Sequence, residues 1–166
     1  MVTETEFRNV MGQFAAGVTV VTLPGDPPHG ITVNAFASVS LSPPLVLVCL
    51  DHETTAHERL AASEAGEASY CVNVLAHDQR HLGEHFANID VLEPSPFESE
   101  RTDAAVTGAP VFRDSLAYLD CTVHEAVEAG DHTIYLGAVE QAEVLRPDAD
   151  ALTFHRGDWG TVRADG

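Results

Sequence analysis

The chain has no lysine at all. Its eight basic residues are all arginine, set against 26 Asp and Glu, which leaves a formal charge of −18 on 166 residues. That balance argues against nucleic-acid or anionic-membrane partners, since both need clustered cations. The acids are spread along the sequence rather than massed in a tail, so no disordered acidic appendage is expected. We read the excess as adaptation to a high-salt, halophilic interior, where self-repulsion is screened. A GC-rich genome is the alternative, and it accounts for the missing lysine better than for the surplus of acid. Cysteine is scarce: Cys49, Cys71 and Cys121 are odd in number, each sits in an apolar strand-like run, and no C-x-x-C occurs. Buried free thiols in a reducing compartment follow, not disulfides or metal ligands. No apolar run approaches the ~18 residues of a membrane span. The N-terminal residues lack a basic segment followed by an apolar one, so a cytoplasmic location without a signal peptide is expected. G-x-G-x-x-G is missing too, which removes a Rossmann-type dinucleotide site. Length and an apolar content of 45% suit a single domain, 1–166, with one core.

What the sequence does have is concentrated between Gly30 and Asp51. Leu45 to Leu50 is a continuous apolar run of β-formers, read as a buried strand. Before it, Thr32, Asn34, Ser38, Ser40 and Ser42 fall on even positions, so in one extended segment they would share a face. A row of small hydrogen-bonding groups lets a flat, polar-edged ligand come close to the backbone. Local pattern alone favours the plainer reading, an edge strand with a solvated Ser/Thr face. Pro43 and Pro44 end the segment.

Thr3 and Glu6 have capping-box spacing and open a helix. Its apolar face is Phe7, Val10, Met11 and Phe14, and Gly17 ends it. Val18 to Leu23 is a strand, followed by a hairpin through the turn-rich residues 24–30. Thr54 and Thr55 precede a helical run through Leu60. Hydroxyls there serve as caps, and the same geometry suits a phosphate. Tyr70 to Leu75 is a strand. His77 to Ala87 reads as a helix with Leu82 and Phe86 on its apolar side. His77, His81 and His85 then share a face at metal-ligand spacing, but without a carboxylate or thiolate partner the solvated reading is preferred and no metal is expected. Residues 88–110 read as a long surface connection. Leu116–Ala126 and Thr133–Val144 are long β-runs with a bulge expected in the second and Gly130-Asp131 at the turn. Leu152–Phe154 is a short last strand, followed by a polar tail. Many strands, few helices and Gly/Pro turns predict a mainly β chain, closed or nearly closed into a barrel.

Five segments in this order resemble the flavin reductase-like family: Phe7–Thr22; Thr32–Asp51; Asp51-x-x-Thr54-Thr55; Gly130-Asp131-His132 with Thr133–Gly137; and Phe154–Trp159. The resemblance spans about residues 5–163. It implies an FMN-binding split β-barrel of Greek-key type with a few flanking helices, working as a homodimer. The implied activity is NAD(P)H-dependent reduction of FMN or FAD, with NADH or NADPH as hydride donor and reduced flavin passed to a partner monooxygenase. The alternative is a flavin-binding electron-transfer or storage protein on the same barrel. By the resemblance, flavin contacts come from Thr32, Val33, Asn34, Ala35, Ser38, Val39, Ser40, Asp51, Glu53, Thr54, Thr55, Ala56 and Phe86. The phosphate falls to the 51–56 turn. His132, Arg156, Gly157 and Trp159 fall to the nicotinamide. Glu53 departs from the neutral residue common in relatives, and a carboxylate beside a phosphate is unfavourable unless it points away. No side-chain acid or base is implied, because hydride transfer needs stacked, aligned rings rather than a protein nucleophile.

Overall fold

The computed structural model describes residues 1–64 and 66–163. Helix α1 (Glu4–Met11) starts at the expected capping box, with Thr3 Oγ1 accepting from Glu6 N and the Glu6 carboxylate accepting from Thr3 N at 2.9 Å. It stops at Gly12, five residues earlier than the sequence suggests, and buries none of its residues. Its apolar stripe is therefore a surface: Phe7 is 60% and Phe14 74% exposed. Strand β1 (Ala16–Gly17) follows, then the hairpin of β2 (Thr19–Leu23) and β3 (His29–Val33), β4 (Phe36–Leu41), β5 (Pro44–Asp51), helix α2 (Thr55–Ala62) and β6 (Ser69–Val74).

Residues 77–87 do not form the single helix predicted. A 3-10 turn (His77–Gln79) precedes α3 (Arg80–Phe86), so His77 leaves the face of His81 and His85. Those two rings are otherwise engaged: His81 Nε2 lies 3.0 Å from Glu100 Oε1, and His85 Nδ1 accepts from Leu92 N. The connection 88–110 is not structureless. It holds α4 (Pro96–Ser99) and β7 (Thr102–Ala104), which pairs with β8 (Pro110–Phe112). The pair β9 (Ala117–Ala129) and β10 (His132–Val144) carries register shifts at Leu136/Gly137 and Val139/Gln141, where a bulge was expected. After β11 (Ala151–His155) the sequence reading missed β12 (Asp158–Val162), which pairs back on it.

All ladders are antiparallel. The main sheet has the order β3-β2-β6-β9-β10-β5-β4, and a smaller one has β1-β11-β12. Strands β3 and β4 are consecutive in sequence yet stand at opposite ends of seven. Only Asn34 and Ala35 join them. Three Cα steps reach at most about 11 Å, whereas six gaps in a flat sheet span about 29 Å. The sheet must therefore roll until its ends nearly meet, and Cys49 N donates to Ala35 O at that seam. The mainly β architecture with flanking helices is as predicted; no ladder closes β3 onto β4 among the described residues.

The rolled interior is filled by inward residues of β2, β3, β5, β6, β9 and β10, such as Val21, Val33, Val48, Tyr70, Cys121 and Tyr135. A second cluster under α3 joins Val18, Val20, Leu75, Leu82, Phe86, Phe112 and Leu152. Strand β5 is not buried on both faces as its unbroken apolar run suggests. Val46, Val48 and Leu50 face the core, while Leu47 and Cys49 face outward and are only partly covered. Burial raises the pKa of the three free thiols, to about 12 for Cys121.

Candidate flavin site

The central stretch is not one extended face. Thr32 belongs to β3, Asn34 and Ala35 form the seam, and Ser38, Val39 and Ser40 lie on β4 across a register shift. Three clefts lie along the seam and the α2 turn. The first, of about 450 Å³, is walled by α1, the seam, the outer face of β5 and the β11–β12 turn, and includes Asn34, Ala35, Cys49, Arg156 and Gly157. The third, about 180 Å³, shares Asn34 and Phe154 with it and adds Thr32 and Trp159. The second, about 420 Å³, is lined by Glu53, Thr54, Thr55 and Phe86 together with His29 and Phe97. Ala87 and Ile89 line the third cleft and Asn88 the second, so the 87–89 segment separates them.

Several expected contacts are restricted to backbone. The side chains of Val33 and Ala56 point into the core, 6% and 0% exposed. The Val33 carbonyl already accepts from Thr19 Oγ1. The Thr32 hydroxyl donates to Gly83 O at 2.7 Å, which ties β3 to α3. Phe86 is a core ring with one edge on the second cleft. It packs against Phe97 and Phe112, and a Cβ at Gly30 would fall 2.6 Å from it. Ser38, Val39 and Ser40 line none of the three clefts, and Ser40 Oγ accepts from Ser42 N.

The 51–55 turn divides its work. Asp51 Oδ1 accepts from Glu53 N, and Asp51 O accepts from Thr54 Oγ1 at 2.7 Å. Thr54 Oγ1 in turn accepts from His57 N as the N-cap of α2. Thr54 is therefore committed to the turn. Thr55 is exposed at the first helical position, where N–H groups have no intrahelical acceptor. Of the two hydroxyls, only that of Thr55 is available to a phosphate, beside the positive end of α2. Glu53 is exposed at the cleft margin. Burial, then the charge of Arg59, hold the His29 imidazole below its ordinary pKa. Burial also lowers His85, against Glu93. The second cleft therefore offers dipoles and hydroxyls to an anion rather than side-chain cations.

His132 begins β10 in register with Asp51, and its Nδ1 lies 2.7 Å from Asp131 Oδ1. That bond, first among the causes, lowers the pKa of Asp131. His132 lines none of the three clefts, so within one chain it stands at the 51–55 turn and not beside Arg156 and Trp159. Trp159 sits against Gly83 and at 5.3 Å from Phe154. Sequence reasoning missed Arg8, Met11, Phe14 and Leu47 as walls of the first cleft. The only signal was the α1 stripe, which reads as a core face.

A rolled antiparallel sheet with an amide-bearing apolar seam and an exposed hydroxyl at a helix start is a framework that can hold a flat ligand carrying an anionic tail. The model of the flavin reductase-like domain matches residues 11–163, and the chain belongs to that family. An NADH-dependent FAD reductase of Streptomyces globisporus is 41% identical over 137 residues, covering 81% of this chain and 72% of its own length. The reductase subunit HsaB of a flavin-dependent monooxygenase from Mycobacterium tuberculosis is 38% identical over 161 residues, covering 96% and 82%. Among solved structures, BorF, the flavin reductase component of a bacterial two-component tryptophan halogenase, superposes with a TM-score of 0.87 at 38% identity, covering 98% of this chain and 99% of its own.

Proposed function

We propose that this chain is an NADH-dependent flavin reductase that binds FMN or FAD along the seam and passes reduced flavin to a separate flavin-dependent monooxygenase or related enzyme. The observation that carries the reading is the acid-free first cleft, built at the family's signature stretch on a chain of charge −18. An anionic cofactor is admitted there and repelled over much of the remaining surface. The residues fit such a group: Asn34 and Ala35 present amide and backbone groups at the junction of two clefts, and Thr55 and the start of α2 present donors in the second. When bound, flavin supplies the two-electron acceptor, taking hydride at N5 from nicotinamide C4.

The chain's own part is to align and shield. The Cys49 thiol, held protonated by burial, leaves the first cleft without a nucleophile. Arg156 and Gly157 line that cleft and Trp159 the third. His132 positions the ring of the donor as a hydrogen-bond donor, from a second copy of the chain, since its own chain holds it at the 51–55 turn. A homodimer is supported by the uncovered face of α1 beside the first cleft. No helix among the described residues is long and apolar enough to cross a membrane, and free thiols support a cytoplasmic location. Anaerobic oxidation of NADH and NADPH with added FMN or FAD tests the proposal. Turnover with NADH is expected. Tight flavin binding without turnover on either donor selects the storage or electron-transfer reading instead.

A further inference from the structure

We propose that His85 is a positioning residue for the cofactor site: as a neutral ring it accepts the Leu92 N–H and so holds residues 88–95 as a wall of the second and third clefts, and protonation of the ring releases that wall. The bearing of this latch on flavin rests on the flavin-reductase reading. The latch itself does not.

The helix anchors only the near end of the segment. Asn88 has φ 57°, Asn88 N donates to His85 O at 3.0 Å, and Ile89 N donates to Glu84 O at 2.9 Å. This is a Schellman close, with Asn at the left-handed position where Gly is commoner. It directs the chain out of α3 and fades at Asp90, whose N lies 3.4 Å from Glu84 O. Beyond that point, among the described residues, residues 91–94 make one hydrogen bond: Leu92 N to His85 Nδ1, at 2.9 Å. Asn88, Val91 and Ser95 line the second cleft together with His85, and Ile89 lines the third. Val91 is 59% and Ile89 65% exposed, so burial does little to hold this wall.

The bond fixes the charge of the ring. A backbone N–H can only donate, so Nδ1 offers its lone pair and the ring proton sits on Nε2. An imidazolium carries a proton on both nitrogens and cannot accept. The Leu92 N–H would then face a second donor. Two neighbours nevertheless favour a charge there: the carbonyl end of α3, since His85 lies in its last turn, and the Glu93 carboxylate. Burial outweighs them and holds the ring below its ordinary pKa. The other titratable groups around it are Arg80, His81 and Glu84 on its own helix, Asp90 on the segment, and His29 and Glu53 on the second cleft. Arg80 pairs with Glu84, and His81 lies against Glu100. His29 is also held below its ordinary pKa, by burial and Arg59, so it needs a control of its own. The latched ring binds a proton less readily than the released one. The latch is therefore complete above about pH 6.5 and is lost as pH falls toward the depressed latched value.

Hydrogen exchange of the Leu92 amide, followed by NMR in flavin-free protein and corrected for the intrinsic rate, reads the latch directly. Between about pH 7.5 and 5.5 its protection should fall by up to roughly tenfold, which is the change in neutral fraction of a released ring of ordinary pKa. Affinity for FAD, whose pyrophosphate does not titrate in this range, should fall with it in a fluorescence titration. His85→Asn keeps an acceptor near the Nδ1 position and takes up no proton, so it should hold its neutral-pH protection and affinity into acid. His85→Leu leaves the Leu92 N–H unpaired and should bind FAD roughly two- to tenfold more weakly at neutral pH, as loss of a neutral hydrogen bond implies. His29→Gln should keep the pH dependence of the parent chain. Leu92 protection that is indifferent to pH, or that falls equally in His85→Asn, overturns the proposal. So does an FAD affinity unchanged in His85→Leu, or a pH dependence that vanishes in His29→Gln. If the parent chain binds no FAD at neutral pH, the flavin reading falls, and the Leu92 exchange still decides the latch.

Discussion

Replacing Thr54 and Thr55 separately by alanine should split two properties that their adjacency merges in the sequence. The Thr54 hydroxyl accepts from His57 N and donates to Asp51 O, both inside the turn. Its removal costs about 1 kcal/mol, the usual value of an N-cap. In a domain of this size that lowers Tm by about 2–4 °C. The Thr55 hydroxyl has no such partner and is exposed, so Thr55→Ala leaves Tm within about a degree. It does remove a hydrogen bond to a charged phosphate, worth about 1.5 kcal/mol at the low end that suits an exposed site. That is roughly a tenfold rise in Kd for FMN. Riboflavin, which lacks the phosphate, should bind Thr55→Ala and the parent chain equally. Thermal melts and fluorescence titrations with the two flavins suffice. Equal weakening of FMN and riboflavin in Thr55→Ala, or a Thr54→Ala protein that melts with the parent, would refute the division of labour.

Gly137→Ala should cost about 1–3 kcal/mol, because the added Cβ meets the Tyr70 hydroxyl and lies 2.9 Å from Cys121 Cβ, both in the packed interior; an unchanged urea midpoint would show that the bulge yields. His29 binds its proton less readily when folded, because of burial and Arg59, whereas the unfolded chain binds it near the ordinary value of about 6.5. Its contribution is thus complete above that pH and lost as pH falls toward the depressed folded value. His29→Gln should lose less stability than the parent between pH 7 and 5, and parallel losses would remove His29 from the account. Eight arginines can neutralise at most eight of 26 acids, so self-repulsion should dominate at low salt. Tm should rise from low to molar KCl, as the screening length shrinks from about 30 to 3 Å; a flat or falling Tm ends the halophilic reading.

Local chemistry was enough for the elements whose signals are local. The Thr3–Glu6 box, the Pro and Gly turns, the bulged β10 run and the Thr54 cap depend on neighbours a few residues away, and these appear in the structure as read. The run of strand and turn signals carried the mainly β class, and the family resemblance carried the candidate residues. What the sequence could not reveal depends on partners far along the chain. The stripe of Phe7, Val10, Met11 and Phe14 has helical period whether it faces a core or solvent. The unbroken Leu45–Leu50 run does not disclose that Leu47 and Cys49 look into a cleft. Only the rolling of seven strands, forced by a two-residue link between the first and last, brings Asn34 beside Cys49, and the separate β1-β11-β12 sheet sets Arg156 on the same cavity. It also decided that the cavity would contain no carboxylate, since charge is a property of composition until folding distributes it over a surface.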